Sequence, residues 1–99
     1  MGNIKNSYQY KLTKNDITVI LANHDPEEFM YMGAPADEYE PEAKLIDNFC
    51  RQYPDKINST DLSAHIKYVF EHMFGSSEIT NDKSFHIATD IINMNLAKY

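Results

Sequence analysis

Apolar residues recur at helical spacing along most of the chain from Thr13 onward. Ile17, Ile20, Leu21 and His24 keep to one face, and Asp16 stands three residues past Thr13 as a capping box requires, so a first helix is predicted to end near Asn23. Asp25-Pro26-Glu27-Glu28 then reads as an N-cap, a proline at the first helical position and a carboxylate able to reach back. A short second helix of about two turns should follow, burying Phe29, Met30 and Met32 and stopping at Gly33 and Pro35. Residues 34–40 form a polar, proline-containing loop, and Pro41 opens the next helix. Its stripe is Ala43, Ile46, Phe49, Cys50 and Tyr53, ended by Pro54. After a turn over 55–58, Ser59 or Thr60 should cap a helix striped by Leu62, Ile66, Val69, Phe70 and Met73 and closed by Gly75, with His65, Tyr68 and His72 on its second face. A last helix begins after Thr80 or Asn81 and carries Phe85, Ile87, Ala88, Ile91, Ile92, Met94 and Leu96 over a wide arc. In residues 1–12, Tyr8, Tyr10 and Leu12 alternate like a strand while Ile4, Tyr8 and Leu12 recur like a helix, so this stretch reads as an arm or frayed start.

The expected fold class is therefore all-α: a compact multihelical bundle of four main helices plus one short helix, forming a single domain over 13–99. No apolar run is long enough to span a membrane, and no alternating run suggests a sheet. With 42% hydrophobic residues, including five Phe and seven Tyr, a core can form without disulfides or a structural metal. Cys50 is the lone cysteine, which cannot form an internal bridge, so the sequence fits a reducing compartment or is indifferent to it. The polar opening Met1-Gly2-Asn3-Ile4-Lys5-Asn6 has no apolar leader core, and Asn6 stands where a myristoylation signal needs Ser or Thr, so the expected location is cytoplasmic. Asn58-Ser59-Thr60 matches a glycosylation sequon, which has no meaning without a secretory route.

Charge changes this picture. The net charge of −6 is concentrated in Asp25, Glu27, Glu28, Asp37, Glu38, Glu40, Glu42 and Asp47, opposed across that stretch only by Lys44. Such a field repels phosphate backbones, which disfavours nucleic acid and favours a basic protein as partner. Acidic residues at helix starts are also ordinary dipole and solubility chemistry, and that reading stands beside the first.

The order of elements resembles a known family. His24-Asp25-Pro26 at the end of an amphipathic helix, the stretch Asp37-Glu38-Tyr39-Glu40-Pro41-Glu42-Ala43, Leu62-Ser63-Ala64-His65-Ile66 leading to Val69-Phe70, and Ile87-Ala88 in a C-terminal helix are similar to the YugE-like family of small bacterial helical proteins, a domain of unknown function. The likeness runs from about Ile17 to Leu96. The chain departs from the pattern at His24, where the family usually has Trp before Asp-Pro, and in the longer 30–36 segment with its Gly-Ala-Pro. The resemblance implies a multihelical fold and no catalytic residues.

Candidate chemistry is sparse. Cys50 lies on an apolar stripe and reads as a buried hydrophobe rather than a nucleophile. His65 and His72 are seven residues apart, without the i, i+4 pair of a zinc helix, and His86 with Asp90 at i, i+4 suits a surface hydrogen bond. Asp25, Asp37, Glu38 and Glu42 could converge on a cation, yet no calcium-loop ladder is present, and the three glycines are isolated, so no phosphate loop exists. No cofactor and no metal are expected. The suggestive feature is a set of exposed residues, Tyr31 and Tyr39 with Met32, interleaved with carboxylates between residues 25 and 42, a composition suited to binding hot spots. Glu28, Tyr31, Asp37, Glu38, Tyr39 and Glu42 are the candidate protein-binding residues. The leading expectation is a non-enzymatic protein that binds another protein. The alternatives are an immunity protein neutralising a basic toxin, a small metal-dependent enzyme or regulator using His65, His72 and the acidic loop, and a homo-oligomer in which exposed Tyr and Met meet their copies.

Overall fold

The computed structural model describes residues 9–75 and 79–98. Residues 1–8 of the expected arm lie outside that range. The described chain forms four α-helices: α1 (Lys14–His24), α2 (Glu40–Gln52), α3 (Ser59–Phe74) and α4 (Asn81–Ala97), with a single 3₁₀ turn at Pro54–Lys56 between α2 and α3. No strand occurs among the described residues, and no helix is long and apolar enough to cross a membrane. The all-α multihelical bundle expected from periodicity is the fold observed.

Local chemistry sets most boundaries. The Thr13 hydroxyl accepts from the Asp16 amide at 3.1 Å and the Asp16 carboxylate accepts from the Thr13 amide at 2.9 Å, so the capping box is complete. Pro41 sits in the first turn of α2, where a missing N–H costs nothing. Thr80 caps α4 through the Lys83 amide at 3.0 Å. The α3 cap is Asn58, ahead of the expected Ser59 or Thr60. Its extended backbone lets the side-chain carbonyl accept from the Asp61 amide while its Nδ2 donates to the Asp61 carboxylate, both at 2.9 Å. Gly75, at φ 75°, closes α3 in a conformation that a β-carbon would strain.

One element differs from expectation: residues 26–33 are turns, not a two-turn helix. Glu28 adopts φ 61°, which breaks any continuous right-handed path, and its amide bonds the Asp25 carbonyl at 3.0 Å. A single helical twist survives over 29–32, and it ends at Gly33 (φ 91°) with the Ala34 amide bonded to the Phe29 carbonyl at 2.9 Å.

The core gathers Leu12, Ile17, Leu21, Ile46, Cys50, Leu62, Ile66, Phe70, Ile87 and Ile91, drawn from all four helices and from the segment before α1. Helix α3 packs mainly on α4, and α1 on α2. Four expected stripe positions are exposed. Tyr53, Met73, Phe85 and Leu96 face outward, because each stripe is wider than the arc its helix covers. Conversely, Asn95 is buried, since its side chain accepts from the Lys11 amide at 2.7 Å and donates to the Gln9 carbonyl at 3.1 Å. Tyr10 donates to Asp47 at 2.7 Å under the Arg51 guanidinium, which bonds both Asp47 and the Leu12 carbonyl at 3.0 Å. Residues 9–12 are thus pinned to α2 and α4.

Candidate protein-binding surface

The acidic segment is organised by Asp25. Its backbone turns left-handed at φ 49° directly after α1, with its amide on the Leu21 carbonyl at 2.7 Å. Its side chain therefore points along the loop. Oδ1 accepts from the Met30 amide and from the Tyr39 hydroxyl, at 2.9 and 2.8 Å, and Oδ2 accepts from the Tyr31 amide at 2.9 Å. Partial burial alone would raise this carboxyl, but the Met30 amide, the Tyr39 hydroxyl and the Tyr31 and Phe29 amides outweigh it and hold the group below the ordinary carboxylate range. The side chain that the sequence marks as a helix cap does cap, but it caps a loop.

Tyr39 completes this hub and corrects the sequence reading. Its side chain is 0% exposed, not a contact residue, with its ring 5.4 Å from Phe29 and 6.0 Å from Phe70 by centroid. The hydroxyl donates to Asp25 and accepts from the Glu27 amide at 2.8 Å, so its polar end is satisfied inside the protein. Burial first, and the Asp25 carboxylate second, push this hydroxyl well above the usual phenol range and keep it a donor.

What remains outside is well defined. Tyr31 is 86% exposed and Met32 71%, and Glu28, Asp37 and Glu38 of the same loop are exposed too. An open depression of about 410 Å³ adjoins Tyr31, walled by Pro26, Glu28 and His24 on one side and by Ile79, Thr80 and Lys83 on the other. His24 bonds Asp90 of α4 at 2.6 Å. Asp90 thus pairs across the fold and not with His86, the i, i+4 partner expected from spacing.

Glu42 is the second correction. It is only 3% exposed, in the first turn of α2, and its Oε1 has no hydrogen-bond partner among the described residues. Burial, reinforced by the charges of Glu38 and Glu27, raises its carboxyl against the pull of its own backbone amide. A raised carboxyl favours the folded state least when ionised: stability is highest below the unfolded-state value of about 4.3 and falls as pH rises through the higher folded-state value. Glu42→Gln is accordingly expected to raise the melting temperature at pH 7 and to lose that advantage near pH 4. Calorimetry at the two pH values checks this, and a variant less stable at pH 7 would refute it.

Cys50 is fully buried, and burial with Asp47 nearby pushes its thiol up to about 12, so no thiolate forms at neutral pH. Among the described residues no three His, Cys, Asp or Glu side chains form a metal-binding group, so Asp25, Asp37, Glu38 and Glu42 do not converge as ligands. Sequence reasoning missed a ladder of rings across α2 and α3: Tyr53 and Phe49 lie 5.5 Å apart, Phe49 and His65 stack at 3.9 Å, and Tyr68 joins His65 at 6.2 Å and His72 at 5.8 Å. Burial lowers the His65 pKa, partly offset by the Leu45 carbonyl. The α3 half was visible in the spacing of 65, 68 and 72, while Phe49 and Tyr53 join only through packing. Comparison with protein families, with curated proteins and with solved structures finds no match.

Proposed function

We propose that this protein acts by binding a basic protein, without catalysis of its own, through the face formed by the loop between α1 and α2. The observation that carries this reading is the Asp25–Tyr39 hub, which fixes a non-helical loop on which Tyr31, Met32, Glu28, Asp37 and Glu38 are all exposed. A large exposed ring and thioether on a pre-ordered backbone give contact area at little entropic cost. Surrounding carboxylates steer a cationic partner and disfavour an anionic one. Neutralisation of a basic toxin is the form of this function that the dense negative charge favours. The YugE-like resemblance adds a multihelical body to the proposal and no catalytic residue.

An octa-arginine peptide serves as a probe of this face. Titrated into the ¹⁵N-labelled protein, it is expected to shift amides between Glu27 and Glu42, with affinity falling as salt rises. Tyr31→Ala combined with Glu38→Gln should weaken binding by about tenfold or more, the equivalent of 1.4 kcal/mol. Shifts clustered instead on the Tyr53–Tyr68 ladder, or affinity unchanged in the double variant, would contradict the reading.

A further inference from the structure

We propose that Glu42 is the anchor of this face, a carboxylate held in reserve to receive an arginine or lysine side chain from the basic partner. The inference rests on the binding function proposed above and identifies the group on which that function turns. A carboxylate removed from water normally finds donors, as Asp25 and Asp47 do here, because leaving it unpaired forfeits its hydration without replacement. Glu42 is the exception: it is 97% buried, and Oε1 is without a donor. Glu27 and Glu38 are close enough for their charges to act on it, so the fold surrounds this carboxylate with like charge instead of neutralising it. Although Oε1 itself is out of solvent, the residue stands in the first turn of α2, two positions from the exposed Glu40 and four from the exposed Glu38, the end of the helix that the proposed cation approaches. An incoming cation there supplies the missing donors and relieves the repulsion among three carboxylates at once. Guanidinium or ammonium fits this role better than a metal ion, because the described residues offer no three-ligand group and the organic cation brings its own directional donors. The arrangement costs the isolated protein stability and returns it on binding, the usual signature of a residue retained for recognition.

The test uses the octa-arginine peptide, calorimetric titration and the ¹³C signal of the Glu42 side-chain carboxyl. In the wild-type protein the Glu42 carboxyl signal is expected to shift saturably with peptide, and Glu42→Gln should bind about tenfold more weakly. Asp55→Asn removes the same unit of charge from an exposed residue in the 3₁₀ turn at Pro54–Lys56, outside the proposed face, and should change affinity less than about twofold. Since Glu42→Gln is expected to be the more stable protein, lost binding could not be assigned to unfolding, and its melting curve verifies this. If the peptide binds the loop with equal affinity in wild type and Glu42→Gln, and the Glu42 signal stays still, the anchor is overturned while the acidic-face reading stands. If the peptide does not bind the wild-type protein at all, both fall together.

Discussion

Truncating Phe70 to alanine is expected to destabilise the protein by about 3–5 kcal/mol, the range for emptying a fully buried aromatic site. Phe70 is 0% exposed on the inner face of α3, and its ring lies 6.0 Å from Tyr39 and 5.7 Å from Phe74. The loss is therefore twofold: the transfer energy of a phenyl ring, and the wall against which Tyr39 sets the acidic loop. Against a total stability of about 5–15 kcal/mol for a domain, this should lower the melting temperature by on the order of 20 °C. Thermal circular dichroism measures it directly. A fall of only a few degrees would mean that the aromatic cluster of Phe29, Tyr39, Phe70 and Phe74 is not packed as described.

The second large effect is expected at Asp25, where alanine should cost about 2–4 kcal/mol although the position lies in a loop. Hydrogen bonds to a charged group contribute about 1.5–3 kcal/mol each, but they share one carboxylate and do not add. Removing the side chain leaves the Met30 and Tyr31 amides and the Tyr39 hydroxyl without their acceptor. The effect carries a pH signature. Because the folded carboxyl is held below its ordinary value, its stabilisation is present above the unfolded-state value of about 3.9 and is lost as pH falls through the folded-state one. The penalty of Asp25→Ala should thus be largest near neutrality and shrink in acid, opposite to the trend at Glu42. Tyr39→Phe removes one of the same bonds, and a double-mutant cycle with Asp25→Ala should show clear coupling. Additive effects at pH 7 would dissolve the hub.

Much of the fold was legible because its signals are local. Thr13 with Asp16, Pro54 after α2 and Gly75 after α3 each act within a few residues of their own backbone, and the stripes through Ile46 and Ile66 face the core as their spacing demands. The candidate surface was only half legible, because its key pairings join distant residues. Tyr39 and Glu42 are polar residues in an acidic stretch, and nothing in their neighbours reveals that α2 turns them inward beneath a loop. Asp25-Pro26 has the local form of a helix start, yet the left-handed Glu28 and the reach of Asp25 to Tyr39 convert it to a clamp. Asp90 has His86 one turn away and takes His24 instead, from the far end of the chain.

The account depends on a loop that is ordered without being helical. Amide hydrogen exchange on the isolated protein tests that claim most directly, at Glu27, Met30 and Tyr31, whose amides meet Tyr39 and Asp25. Protection well above that of a free chain at all three, lost together when Asp25 is replaced by alanine, is the expected result. Exchange at free-chain rates in the wild-type protein would contradict it, and with it the preformed binding face.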